Sequence, residues 1–541
     1  MEYDIIFITG EAYFDHPLCG IAILKRLLEK NGFSVGIIKM PYSSENITKL
    51  GRPKLFFGVT SGSLDSMLRN YTALKRLRID DPNISDEDIN GYVPDRGVIV
   101  YSNWIRQHFK DSIIVLGGTE ATLRRFTHYD YWDNKLRKPI LVDSRADVLA
   151  FGNSEKQILE IARKLKTAYA DESCDITAAR SILNSSTIEG TCVIAKEVPT
   201  DKEFILLPSH DDVLASKEKF CDMQNLFTNN KNLAEKIDNR YVLQYKSPQY
   251  TSKDLDEYYE LGFTREIPPE LRYLRGFEFS VVTHRGCIGM CNFCSLTLTQ
   301  GNKIISRSEE SILREIEQIT KLTYFNGNID DFGGPAANMY GMDCASCENA
   351  CMNCKTLARD NKRLISLMKK AREIPGVKNV FVRSGVRYDL CSEEYLKELV
   401  QYHIADTLRI APEHVDKNVL KLMNKDYGDL NKFISDFNAI NEPMEPDRRK
   451  ELSFYFMTAH PGSSMREAKE LAKFISSVKN AESVQIFTPT PMTVSTCMYY
   501  TSLDPKTKKK IYVPYTFVEK KEQKRVIVGK SGKFGKDNSD E

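Results

Sequence analysis

The chain lacks the marks of export, of membrane insertion and of a charge-driven partner. Its first residues, MEYDIIFITGEAYFDH, carry acids where a signal peptide carries a basic region. No apolar run is long enough to span a bilayer. The formal net charge is only +2, so no global field points to nucleic acid or a membrane surface. The 13 cysteines do not make an even set, and without an export signal they argue against a disulfide framework. They argue instead for thiolate chemistry in a reducing cytoplasm. What remains is an ordinary globular composition, 41% hydrophobic and 28% charged. Its 541 residues are enough for about three domains.

From the N-terminus, short apolar runs alternate with helical patterns. Residues 3–8, 35–38, 55–59, 113–116 and 148–151 read as buried strands. Residues 21–30 and 155–165 read as helices, the second capped by Asn153 or Ser154. Such alternation implies an open parallel sheet, a Rossmann-like domain over residues 1–165. Ligands of these sheets sit at the carboxyl ends of the strands. Those ends carry Asp15-His16-Pro17, Thr60-Ser61-Gly62-Ser63 and Gly117-Gly118-Thr119-Glu120. The cluster His128-Tyr129-Asp130-Tyr131-Trp132-Asp133 reads as packing between domains. Residues 166–275 read as an ordered connector, too apolar for disorder. Within it, 191–198, 204–207 and 240–245 are expected as strands and 211–228 as a helix.

From residue 276 to 500 a strand–helix unit recurs. The expected strands are 277–282, 327–332, 379–384, 407–411, 452–457 and 483–487, with helical patterns between them. This pattern predicts a partial barrel whose chemistry lies at the carboxyl ends of its strands. Residues 501–541 are rich in lysine and read as a solvated basic tail.

The first of these strands runs into a loop with the spacing Cys287-x3-Cys291-x2-Cys294. A cubane iron–sulfur cluster normally takes four thiolates. Three leave one iron open, and open coordination separates catalytic metal sites from structural ones. Zinc sites usually come as paired Cys-x2-Cys units, which this loop does not show. A second group, Cys344-x2-Cys347-x3-Cys351-x2-Cys354, offers a complete set of four and is a possible second metal site, for zinc or an auxiliary cluster. Other strand ends carry Asp330-Asp331-Phe332-Gly333-Gly334-Pro335, Arg383-Ser384-Gly385-Val386-Arg387 and Ala411-Pro412-Glu413-His414. Paired glycines let a main chain approach a ligand closely. A guanidinium can pair with a carboxylate, and His414 is a candidate proton handler.

The cysteine loop, with Phe293 just before its third cysteine, resembles the cluster loop of radical SAM enzymes. The strings Tyr13-Phe14-Asp15-His16-Pro17, Gly117-Gly118-Thr119-Glu120-Ala121, Thr283-His284-Arg285-Gly286-Cys287, Gly333-Gly334-Pro335 and Ala411-Pro412-Glu413-His414 are similar to the YgiQ-type group of that superfamily, over nearly the whole chain to about residue 525. The resemblance implies an α/β fold, with a Rossmann-like, cobalamin-binding-like open sheet before a partial (β/α)6 TIM-like barrel. It implies a [4Fe-4S] cluster on Cys287, Cys291 and Cys294, and S-adenosylmethionine (SAM) held by Gly333, Gly334, Ser384, Arg387 and Glu413. It also implies an electron donor such as flavodoxin or ferredoxin. The expected activity is reductive cleavage of SAM to a 5′-deoxyadenosyl radical for an unassigned substrate. One alternative is a methyl- or methylthio-transferase acting on RNA or protein. Another, of a different class, is a zinc-stabilised binding protein. Asp15-His16-Pro17-Leu18-Cys19-Gly20 is similar to the cobalamin motif Asp-x-His-x-x-Gly, with its histidine one place early; this speaks against histidine ligation of cobalt and does not settle whether cobalamin binds.

Overall fold

The structure, a computed structural model, describes residues 2–78, 93–344, 351–478 and 481–529. They form two compact units. The first is residues 2–249 with Thr488–Ile511; the second is Tyr250–Phe487 with residues 512–529.

The first unit contains β1 (Ile5–Thr9), β2 (Val35–Lys39), β3 (Phe56–Thr60), β4 (Ile113–Leu116), β5 (His128–Asp130), β6 (Lys135–Arg137), β7 (Val148–Ala150), β8 (Thr191–Ala195), β9 (Ile205–Leu206), β10 (Leu233–Ile237) and β11 (Arg240–Gln244). β1, β3 and β4 are buried along their whole length, as unbroken apolar runs of a parallel sheet should be. Nine of these strands form one sheet in the order β2-β1-β3-β4-β7-β8-β11-β10-β9. The first five are parallel; β8, β11 and β10 then follow antiparallel.

The span 166–275 therefore does not form a separate connector. β8 pairs with β7 through Leu149 and Cys192, so the strands up to Gln244 extend the N-terminal sheet. Residues from Tyr250 fold with the second unit. β10, LAEKI, has no counterpart among the sequence expectations, because the charges of Glu235 and Lys236 interrupt its apolar pattern. The helix expected over 211–228 is two, His210–Ala215 and Lys217–Leu226. Ser216 breaks it by going extended, and its side chain then caps the second helix.

Residues 128–133 are not packing between domains either. β5 pairs with β6, and the Tyr129 and Tyr131 rings pack on Tyr499 at 6.2 and 5.7 Å inside the first unit. Below them Arg124 is fully buried, paired with Asp65 at 2.7 Å and Asp130 at 3.2 Å. The segment Thr488–Ile511 also brings Cys497 Sγ to 3.9 Å from Cys221 Sγ.

The second unit contains β12 (Val281–Val282), β13 (His284–Arg285), β14 (Ile305–Ser306), β15 (Asn328–Ile329), β16 (Phe332–Gly333), β17 (Asn379–Val380), β18 (Thr407–Glu413), β19 (Glu451–Thr458) and β20 (Ala481–Ile486). β12 pairs with β16, β15 with β17, β18 with β19, and β19 with β20, all in parallel. A parallel bridge between Val386 and Ile410 joins the third strand region to the fourth. The strands thus run side by side in chain order, and the sheet is the expected partial barrel. Helices Glu309–Ile319, Lys362–Glu373 and Met465–Ser477 cover it with apolar faces such as Ile312, Ile316, Leu364 and Leu471, all fully buried. Each such side chain contributes about 1.5–3 kcal/mol.

The basic tail departs from expectation. Phe517–Val528 is a helix, capped by Thr516, and it buries Lys520, Gln523 and Ile527. Ile527 joins the barrel core. Only a few inward positions carry this docking, and the sequence EKKEQKR around them hides the stripe. Lys530 and Ser531, with the rest of 530–541, lie outside the described residues.

Candidate metal and cofactor centre

The cysteine loop leaves the barrel at the carboxyl end of β12 and turns at Gly286, whose φ is +88°. A Cβ there would lie 1.8 Å from the Lys303 carbonyl oxygen, so only glycine fits. The Cys287 amide donates to the Gly301 carbonyl at 3.0 Å. On the other side the Asn292 amide donates to the Met423 carbonyl at 2.9 Å, and Asn424 Nδ2 donates to the Met290 carbonyl at 2.8 Å. Met290, with φ of +45°, is held in the left-handed region by these ties. The loop is thus stitched to the barrel at both ends.

Cys287 is buried, and Cys291 and Cys294 are partly so. Burial pushes the Cys294 thiol up to about 12 and raises that of Cys287; Cys291 adds to both shifts, and Cys287 adds to that of Cys294. The three sulfurs are therefore within electrostatic reach of one another. Among the described residues, no group of three or more His, Cys, Asp or Glu side chains stands ready to grip a single metal ion.

Two cations face this loop. Arg387 Nη1 donates to Cys291 Sγ at 3.4 Å. The rest of its guanidinium is clasped by Asp389, Nε to Oδ1 at 3.0 Å and Nη2 to Oδ2 at 2.6 Å. Burial opposes the charge on Arg387, but the Asp389 carboxylate outweighs it and raises the guanidinium's pKa. Lys425 Nζ lies 3.3 Å from Glu413 Oε1 and 5.9 Å from the centre of the Phe293 ring. Burial disfavours its charge too; Glu413 and then Cys291 restore it and raise its pKa. Glu413 itself has φ of +69°, a strained value for a non-glycine residue at the end of a strand.

Gly333 and Gly334 lie beside the root of the loop, where the Thr283 amide donates to the Gly333 carbonyl at 2.8 Å. A Cβ on Gly334 would meet the His284 ring and carbonyl at 2.7 Å. The His284 Nδ1 is 2.9 Å from the Thr283 hydroxyl. Ser384 is placed differently: its hydroxyl donates to Asp331, which also accepts from the Ser384 amide at 3.0 Å and the Arg383 amide at 2.8 Å. His414 is buried, with Nδ1 accepting from the Asp416 amide at 3.0 Å and Nε2 left without a hydrogen bond. Its neighbour His460 stands 6.4 Å from the Phe293 ring and 5.0 Å from Phe487.

Of the second cysteine group, Cys351 and Cys354 pack against the small core that contains Cys287 and Met339. Cys354 Sγ lies 3.1 Å from the Thr356 hydroxyl. Cys347 lies outside the described residues.

In the first unit the strand ends are closed by internal bonds. His16 is buried, and its Nδ1 accepts from the Leu18 amide at 3.0 Å. Asp15 pairs with Arg26. Glu120 accepts from the Ser66 amide at 2.9 Å and the Val98 amide at 3.1 Å, tying down the starts of two helices.

Sequence reasoning missed Asp389 and Lys425, and gave Asn338 no role of its own. Asn338 clamps the Arg387 backbone on both sides, at 3.0 and 2.9 Å. No local spacing signals these partners; only the fold brings them to the loop.

The chain matches the Radical SAM N-terminal family over residues 1–277 and the Radical SAM superfamily over residues 281–475. It is 44% identical to a UPF0313 protein of Methanocaldococcus jannaschii, over 97% of this chain and 89% of that one. It is 39% identical to a UPF0313 protein of Fusobacterium nucleatum, over 97% of this chain and 96% of that one. Among solved structures it is similar to the radical SAM methyltransferase TsrM from Kitasatospora setae, with a TM-score of 0.52 at 12% identity, covering 91% of this chain and 75% of that one. At that identity the likeness is one of fold.

Proposed function

We propose a function from one premise: the chain belongs to the UPF0313 family of radical SAM proteins. It is a radical SAM enzyme, and its cofactors are a [4Fe-4S] cluster and SAM. In our reading, Cys287, Cys291 and Cys294 hold the cluster. The observation that carries this is one loop, fixed at both ends to the barrel, presenting three thiols within electrostatic reach of one another.

Held by Cys287, Cys291 and Cys294, a [4Fe-4S] cluster would supply the one-electron reduction that splits the SAM sulfonium into methionine and a 5′-deoxyadenosyl radical. The chain's residues bind, orient and exclude water. Gly333 and Gly334 offer bare main chain beside the loop for the SAM amino end. Glu413 and Lys425 present a buried carboxylate and ammonium for the ribose hydroxyls and the SAM carboxylate. Ser384 acts through Asp331, and Arg387 is committed to Asp389 and Cys291. His414 directs an unpartnered Nε2 from the end of β18 and is the candidate for moving a proton at the substrate. A flavodoxin- or ferredoxin-like donor fits the need for a low-potential electron. Cys344, Cys351 and Cys354, with Cys347, are assigned to a second metal. The buried His16, its Nδ1 already engaged, gives no support to a cobalt-dependent methyl transfer.

Anaerobic reconstitution with iron and sulfide, followed by dithionite and SAM, tests the reading. The expected product is 5′-deoxyadenosine, lost in Cys291→Ala. A preparation that takes up zinc alone, or a Cys291→Ala variant that still forms the product, overturns it.

A further inference from the structure

We propose that Arg387 sets the reduction potential of the cluster through a hydrogen bond from its Nη1 to Cys291 Sγ, and that Asp389 acts on the same potential with the opposite sign. This rests on the reading of Cys287, Cys291 and Cys294 as the cluster's ligands.

The geometry around the guanidinium is built for this contact. Arg387 Nη1 lies 3.4 Å from Cys291 Sγ. Its side chain is 8% exposed, so its charge is little screened by water. The loop carries glycine at position 289, where the guanidinium passes. A Cβ on Gly289 would lie 2.0 Å from Arg387 Nη1 and 3.5 Å from Cys287 Sγ. Any larger residue there expels the guanidinium or moves the loop. Two anchors hold the arginine in this pose. Asn338 accepts from its amide at 3.0 Å and donates to its carbonyl at 2.9 Å. Asp389 fills the edge of the guanidinium that a SAM carboxylate would otherwise take, at 3.0 and 2.6 Å. In this proposal the guanidinium serves Cys291 through Nη1 rather than the SAM carboxylate.

The physics fixes the signs. A donor on a ligand sulfur, and a buried positive charge beside it, stabilise the more negative reduced cluster and raise its potential. Asp389, 3% exposed, is a buried negative charge that lowers it. Lys425 acts on Cys291 through its field alone, and Glu413 largely offsets that field. Arg387 is therefore a positioning and tuning residue, not a catalytic one.

The test is a redox titration of the full-length reconstituted protein without SAM, followed by the electron paramagnetic resonance of the reduced cluster. Arg387→Gln is expected to titrate at a more negative potential than the unsubstituted protein, and Arg387→Lys between the two. Asp389→Asn is expected to titrate at a more positive potential. Equal potentials for the unsubstituted protein and Arg387→Gln, at equal iron content, overturn the proposal. If Arg387→Gln does not load iron, Asp389→Asn decides: a shift upward supports the proposal, and no shift or a downward one overturns it. Failure of the ligand reading looks different. It shows first, as an unsubstituted protein that holds no cluster or a Cys291→Ala variant that keeps one.

Discussion

Gln523→Leu should destabilise the second unit, although the position lies in a run of charged residues. The Gln523 side chain is fully buried. Its Oε1 accepts from the Thr458 hydroxyl at 3.0 Å, the Ala459 amide at 3.1 Å and the Ser463 hydroxyl at 3.3 Å. Its Nε2 donates to the Ser463 carbonyl at 2.9 Å. These bonds hold the turn after β19, in which Ala459 takes a φ of +58°. Leucine fills most of the space but offers no polar atom. The two hydroxyls can rotate to other partners; the Ala459 amide and Ser463 carbonyl cannot. Each buried group left unpaired costs about 1–3 kcal/mol; at about 1.5 kcal/mol for each of the two, the loss is about 3 kcal/mol. For a domain of this size each kcal/mol moves the melting temperature by about 2–4 °C, giving a fall of about 6–12 °C. Calorimetry on the full chain reads this, with Glu522→Gln as the control, since Glu522 pairs with Arg525 at the surface. A Gln523→Leu melting temperature within about 1 °C of the control would refute the docking of this helix and return the segment to solvent.

Gly334→Ala should cost about 1–3 kcal/mol, because its Cβ would press on the His284 ring and carbonyl at 2.7 Å. Equilibrium dialysis should show weaker SAM binding by the same variant, and unchanged affinity would remove Gly334 from the cofactor site. Stability should also fall in mild acid. Burial holds His284 and His414 down to about 4 and His460 down to about 3, against an unfolded value of about 6.5. Asp343 faces His284, Asp416 and Glu467 face His414, and His414 faces His460, yet burial prevails. The unfolded chain then binds protons that the folded one refuses, so stability is full above about pH 6.5 and declines as pH falls toward 4. Urea midpoints measured at several pH values should drop across that window, and less steeply in His414→Asn; a flat profile contradicts the buried neutral imidazoles.

Much of this molecule could be read from residue order alone, for physical reasons. β1, β3 and β4 of the first sheet are unbroken apolar runs, and those signals survive any context. The three-thiol loop is visible because its chemistry is local in sequence. What escaped depends on contacts between distant residues. Arg387 is close to Asp389 in the chain, but its pairing with Cys291 arises only when the third strand end meets the first. Lys425 looks like any surface lysine until the fold buries it against Glu413. The helix at Phe517–Val528 hides because polar Gln523, not an apolar stripe, carries its docking. The strands at 191–195 and 240–244 were expected, but their membership of the N-terminal sheet rests on pairings across tens of residues that no local pattern announces.

The measurement that bears most directly on the centre is the electron paramagnetic resonance of the anaerobically reconstituted, reduced protein with and without SAM. A reduced four-iron signal whose shape changes when SAM is added, and which is absent from Cys287→Ala, Cys291→Ala and Cys294→Ala, is the expected result. A signal indifferent to SAM, or one that survives loss of any of the three cysteines, contradicts the account.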